Sequence, residues 1–411
     1  MQRKPWKFWT LLTFVPLLST LLMAAWSFSQ ELPKPGEKID KSNFKKYAHL
    51  FPEEFAPAFE DGFGGLISTI QVNVVASKPI AVPKEWIAYS GKNKGKYGLD
   101  AQGNITGGYN REGLPFPDLQ RNDKDFAAKL MWNFDGRYQF DENLDHARGG
   151  SFEKRRGEDV RWNNAHLIFL YFKSRMAVSP KPDLPNPMGL YKASMVHFIN
   201  PENVKNTINL TYRYIDPNKP DDTYLYLPSI RRVLRAEAGQ RSTPLLGNVA
   251  ALDDLFGFDG RIPEFTYTIV REQKVLAITE NTFMPKSTTW KRKDLPFPVD
   301  NYEIRDTYVI DIKPKDPKYP QSKKRIWLEK ENGGNIYYIV AWDRAGKLWK
   351  VWMQPFKRHA MLEDRFPVLD GAFGVDVQFG MATYYGADVT VNNQKFTYND
   401  FTPASLLKRG R

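Results

Sequence analysis

Alternation of polar and apolar side chains with a period of two restricts the possible folds of this chain more than any other feature. In KNTINLTYRY, Ile208, Leu210, Tyr212 and Tyr214 point one way while Thr207, Asn209, Thr211 and Arg213 point the other, as in a strand buried on one face. NYEIRDTYVIDIK repeats the pattern, with Tyr302, Ile304, Tyr308, Ile310 and Ile312 set against Glu303, Arg305, Thr307, Asp311 and Lys313. FTYTIVR, KVLAITE, RIWLEK, NIYYIVAWD and KLWKVWMQP read as further strands, the last two joined by a hairpin turn at Asp343-Arg344-Ala345-Gly346. Roughly a dozen strands are expected. Helical spacing is confined to short stretches: Phe44, Tyr47, Ala48 and Phe51 within 38–61, then 123–132 and 248–256. LISTIQVNVV at 66–75 reads as a strand, and the glycine-rich stretch 91–110 as turns and loop.

So few helices cannot alternate with so many strands, which argues against a parallel α/β sheet. The expected class is α+β, mainly antiparallel β, built as one large curved sheet or incomplete barrel. No repeat of fixed period supports a propeller or solenoid. Prolines cluster in connectors such as DIKPKDPKYPQS, and the 411 residues are read as one large domain preceded by a leader.

That leader begins with Arg3, Lys4 and Lys7 and continues without charge until Glu31, the pattern of an export signal. The apolar run exceeds the usual roughly 7 to 15 residues, so a single anchoring helix of roughly 20 residues is the alternative. Pro16, Thr10, Thr13, Ser19 and Thr20 dilute it, and Ser27 with Ser29 offers small residues for cleavage before Gln30. Residues 1–29 are therefore expected to be a signal peptide or uncleaved anchor, and 30–411 a single domain in the periplasm. Mean hydropathy of −0.53 rules out a polytopic membrane protein. Net charge of +12 suits anionic partners such as phospholipid headgroups; export removes cytosolic nucleic acid from consideration. The absence of cysteine excludes disulfides, thiolate metal sites and lipid attachment to this chain.

Signatures of enzyme chemistry are missing. A G-x-S-x-G elbow, a phosphate loop, a G-x-G-x-x-G turn and an H-E-x-x-H motif are all absent, so neither a metal nor a cofactor is expected. Carboxylate neighbours Asp253–Asp254 and Asp141–Glu142 are the material available for a glycan-active hydrolase, although solvated or helix-start carboxylates are the commoner occurrence. The aromatic load says more. Ile208, Leu210, Tyr212, Tyr214, Phe265, Tyr267, Ile269, Tyr308, Ile310 and Trp342 lie on strand faces that must be covered or must cover something. They either fill a closed core or line an apolar groove wide enough for an acyl chain. In the second case Arg231 and Arg232 meet an anionic headgroup at the rim.

PGEKIDKSNFKKYAHLFP near the start, GGYNREGLPFPDLQRND and AAKLMWNF between 107 and 134, YLYLPSIRRVLR from 224, LDDLFGFDG from 252 and KKRIWLEKENGGNIYYIVAWDRAGKLWKVW from 323 together resemble an uncharacterised family of exported bacterial proteins described as outer-membrane lipoprotein-sorting-like. That family is similar in fold to the LolA and LolB carriers, and the resemblance covers nearly the whole mature chain. It implies a LolA/LolB-like incomplete antiparallel barrel with helices over its mouth, acting as a periplasmic carrier or chaperone for a lipid or other hydrophobic ligand. It also implies partnership with an RND-type (MMPL-like) exporter and an outer-membrane protein. LolB carriers are anchored through a cysteine that this chain lacks, so transport of a hydrophobic molecule is the expected activity rather than lipoprotein sorting in the strict sense. A structural adaptor of an envelope complex, without a ligand of its own, is the competing reading.

Overall fold

The computed structural model describes residues 31–410 apart from 69, 237–240, 243, 245–248, 284–291, 360–365 and 393–395. The expected leader, and the first residue of the helix expected at 248–256, lie outside the described residues. In chain order the strands are β1 (Lys38–Ile39), β2 (Val72–Val74), β3 (Gly98–Leu99), β4 (Ile105–Thr106), β5 (Glu142–Arg155), β6 (Arg161–Tyr171), β7 (Leu190–Asn200), β8 (Ile208–Tyr214), β9 (Asp222–Leu227) and β10 (Arg232–Ala236). They continue with β11 (Phe265–Ala277), β12 (Asn301–Pro314), β13 (Gln321–Glu329), β14 (Ile336–Asp343), β15 (Leu348–Met353), β16 (Phe356–Arg358), β17 (Pro367–Leu369), β18 (Gly371–Asp376) and β19 (Met381–Val391).

A single fifteen-stranded sheet runs β1-β2-β12-β13-β14-β15-β18-β19-β5-β6-β7-β8-β9-β10, with β11 also paired to β12. Its pairings are antiparallel, β2 against β12 excepted. It curves without closing, so the large open sheet expected from the alternation is what forms. Hairpins dominate because antiparallel neighbours need only short turns; the expected turn after Asp343 joins β14 to β15. The segments FTYTIVR and KVLAITE fuse into one strand, β11, whose register slips between Ile269 and Arg271. That bulge interrupts the alternation and makes one strand read as two.

Both faces are covered, unlike the half-buried strands the alternation suggests. On the back, Phe44, Phe51, Phe55 and Phe59 of the N-terminal segment pack against Trp327, Tyr338, Val340 and Val351. The short helices Phe44–Tyr47 and Ala56–Glu60 supply Phe44 and Phe59, the turns between them supply Phe51 and Phe55, and the expected strand at 66–75 shrinks to β2. On the front, Met131, Trp132 and Phe134 of the helix Phe126–Asp135 meet Ile310, Ile312, Ile326, Leu328 and Ile339. Helical cover is thus divided between the two faces. The C-terminal helix Pro403–Arg409, capped by Thr402 accepting from Ser405 N at 3.1 Å, closes the back of β7–β9 through Leu406 and Phe401.

Candidate functional site

Where front-face cover is incomplete, a cavity of about 760 Å³ remains, within the size range of small-molecule sites. Its wall largely follows the period of two on strands distant in sequence: Ser151, Glu153 and Arg155 on β5; Asn163, Ala165, Leu167 and Phe169 on β6, joined at the start of that strand by Arg161, Trp162 and Asn164; Val196, Phe198 and Asn200 on β7; Thr383 and Tyr385 on β19; Ala372 on β18; Trp352 on β15. The same strands send Phe152, Ile168, Phe373 and Tyr384 into the packed back face. Space survives on the front because several wall positions carry Ala, Ser or Thr. One glycine behind the wall residue Trp352 matters: a Cβ on Gly374 would sit 2.2 Å from the Trp352 ring, so its absence lets that indole lie against β18.

A strap, Ala250–Phe256, crosses the cavity with Leu255 and Phe256 turned into it; Phe256 packs on Phe169 at 5.1 Å between ring centroids. Beyond the strap, a buried ion network ties the chain to the sheet. Asp259 receives Lys192 Nζ at 2.7 Å, Arg213 Nη1 at 3.0 Å and Arg241 Nη2 at 2.9 Å. Arg241 also holds Asp253 at 2.9 Å, Arg213 holds Asp221 at 2.9 Å and Asp135 at 3.2 Å, and Arg111 pairs with Asp135. Burial opposes charge on Asp259, but Arg213, Lys192 and Arg241 hold its carboxyl well below the usual range. Burial pushes Lys192 down to about 8 against the attraction of Asp259. Lys324 Nζ secures Asp254 of the strap at 2.6 Å.

The cavity is amphipathic. Phe169, Leu167, Phe256 and Trp352 form its apolar part; Glu153, Arg155, Arg161, Asn163 and Asn203 stand toward the turns at one end. Burial pushes the Glu153 carboxyl up, opposed by its hydrogen bond with Asn163 and by Arg155 and Arg161. Ser151 Oγ, Thr383 Oγ1, Gln354 Oε1 and Trp352 Nε1 are buried and meet no hydrogen-bond partner among the described residues, although all four residues line the cavity.

None of the ten apolar residues singled out from the sequence lines this cavity. Ile208, Leu210, Tyr212 and Tyr214 are 0–3% exposed, sealed on the back by the C-terminal segment; the Tyr212 hydroxyl donates to Phe401 O. Phe265, Tyr267, Ile269, Tyr308 and Ile310 pack with the helix Phe126–Asp135, Phe126 meeting Tyr308 at 5.5 Å. Trp342 joins the other core, beneath Lys323 Nζ at 3.9 Å. Arg231 and Arg232 stand exposed at the β9–β10 turn, not at the cavity. The alternation locates strand faces but not the cover laid on them, and these faces receive helices.

The carboxylate neighbours are engaged structurally. Asp141 accepts from Met176, Ala177 and Val178 N at 2.9, 2.7 and 2.6 Å, while Asp253 and Asp254 belong to the ion pairs above. No cluster of metal-ligating side chains occurs among the described residues. Of the wall strands, sequence reasoning missed β5, β6, β7, β18 and β19. In RWNNAHLIFLY both faces mix polar and apolar residues, so the period is hidden; Asn163, Ala165, Leu167 and Phe169 at every second position were the available signal.

Fold and site together define an open, mainly antiparallel curved sheet carrying a strapped, ligand-sized cavity on one face. The chain belongs to the family described as "Protein of unknown function (DUF1329)", which matches residues 38–407. Curated protein sequences give no match. Similar solved structures include a domain from Vibrio parahaemolyticus named for outer membrane lipoprotein sorting, with 17% identity and a TM-score of 0.48, covering 68% of this chain and 98% of that one. A DUF1329 family protein from Desulfovibrio piger has 15% identity and a TM-score of 0.49, covering 68% and 97%. A LolA superfamily protein from Nitrosomonas europaea has 13% identity and a TM-score of 0.41, covering 67% and 97%.

Proposed function

We propose that this protein is a non-enzymatic periplasmic carrier or chaperone for a lipid-like, amphipathic molecule moving to or from the outer membrane. The front-face cavity carries the reading: it is ligand-sized, apolar where Phe169, Phe256 and Trp352 meet, and polar toward one end. Each methylene buried there contributes about 0.8 kcal/mol, and the ligand's polar atoms satisfy Ser151, Thr383 and Gln354, whose isolation otherwise costs about 1–3 kcal/mol per group. An RND-type exporter and an outer-membrane protein serve as donor and acceptor. The family resemblance supports that part, as the leader supports the compartment; among the described residues no helix is long and apolar enough to cross a membrane.

Purification from the membrane fraction followed by lipid extraction and mass spectrometry is expected to recover a co-purifying amphiphile. Ala165→Phe, which fills the cavity from β6, is expected to abolish that recovery while the protein stays folded. Equal recovery from the filled variant, or repeated absence of any amphiphile from the wild type, defeats the reading.

A further inference from the structure

The registers place the turns β5–β6, β7–β8, β9–β10, β14–β15 and β18–β19 on one rim of the sheet: Glu153 opposes Arg161, Asn200 opposes Asn164, Ile208 opposes both His197 and Tyr226, Lys350 opposes Asp376 and Met381 opposes Arg155. Two of these turns present large apolar side chains to solvent, Phe379 at 78% exposure and Ile230 at 51%. A soluble surface gains nothing from a phenyl ring standing free on a hairpin tip, whereas an interface does. Exposed Arg156, Arg161, Arg231, Arg232, Arg344 and Lys347 border the same rim. Acids in these five turns are fewer: Glu158 pairs with Arg161 at 2.8 Å, Glu202 pairs with Lys205 at 3.1 Å, and Asp343 accepts from Lys347 N at 2.9 Å. The cavity reaches this rim as well, through Arg155, Val160, Arg161, Pro201 and Asn203.

We propose that this rim is a docking surface for an anionic lipid bilayer. Phe379 and Ile230 enter the interface between headgroups, the arginines of the β5–β6 and β9–β10 turns pair with lipid phosphates, and the cavity mouth comes to rest against the membrane. Charge complementarity selects a bilayer rich in anionic lipid, and aromatic and aliphatic tips within a basic border suit its interfacial zone. The docking rests on the carrier reading only for its purpose, since the tips and their charges are independent of the cavity.

The lack of native cysteine makes the test direct in the full chain. Single cysteines at Gln378→Cys and Ser229→Cys, beside the two apolar tips, and at Lys219→Cys in the β8–β9 connection on the opposite rim, each carry an environment-sensitive fluorophore. With phosphatidylglycerol vesicles the two tip labels are expected to shift to the blue and the Lys219→Cys label to stay unchanged. At about 1 M salt, where the screening length is about 3 Å, the response falls. Arg231→Ala with Arg232→Ala weakens partitioning roughly 25-fold, from two cations at about fivefold each, and Phe379→Ser removes the shift at Gln378→Cys. An equal response from all three labels, or an equal response to pure phosphatidylcholine vesicles, overturns the proposal; silence with every vesicle overturns it and makes the rim a protein-docking face. Ala165→Phe separates the two readings: lost cargo recovery with retained tip response supports both, whereas unaltered recovery with retained response defeats only the carrier.

Discussion

Lys192 of β7 meets Asp259, just beyond the strap, at 2.7 Å with both side chains about 8% exposed. Charges are seldom buried unless the pair fixes geometry, and this contact and those of Arg213 and Arg241 connect the strap region to the sheet. The strap over the cavity is therefore held by the ion pairs of Asp253 and Asp254 as well as by the packing of Leu255 and Phe256.

Removing a partner from this network should cost more than an ordinary surface pair. Arg213→Leu leaves Asp135, Asp221 and Asp259 with fewer buried counter-charges and is expected to lower stability by about 3–5 kcal/mol, read from the urea midpoint by circular dichroism. Proteolysis within 250–256 should quicken in the same variant; an unchanged midpoint would show that the network contributes little.

Acid should loosen the same contacts. Asp259, Asp135 and Asp254 all have carboxyls held below their ordinary value by neighbouring cations, against the opposing effect of burial. The unfolded chain therefore binds more protons than the folded one as pH falls through about 3.9, and stability present above that value is progressively lost below it. Thermal melts between pH 7 and pH 3 should show this fall. Asp259→Asn should be less stable at neutral pH but decline more gently in acid.

Gly374 is a steric control on the cavity. Adding a methyl group there brings it within 2.2 Å of Trp352, so Gly374→Ala should drive the indole toward the cavity or unsettle β15 and β18, at about 1–3 kcal/mol. Trp352 fluorescence against a Trp352→Phe background, together with amphiphile recovery, tests this; an unchanged spectrum and unchanged recovery would contradict the tight packing.

Tyr212 should behave as core. Tyr212→Ala removes a ring packed beneath the C-terminal helix, and its bond to Phe401, and is expected to cost about 3–5 kcal/mol, as other large aromatic truncations do. Under conditions where the variant stays folded, amphiphile recovery should match the wild type. Loss of recovery without loss of stability would return the site to the back face.

Alternating side chains in KNTINLTYRY and NYEIRDTYVIDIK by themselves determined that these segments are strands, and the shortage of helical spacing determined an antiparallel sheet, because strand periodicity is a local property of a pleated backbone. The turn after Asp343 was legible for the same reason. Tertiary structure alone decided that the Tyr212 face would be sealed by a helix some 190 positions later, at Pro403–Arg409, and that Ala165, Thr383 and Trp352 would surround open volume. A cavity is the difference between the shape of a wall and the shape of its cover, and here the wall comes from strands scattered between 142 and 391. No local pattern along the chain carries that difference.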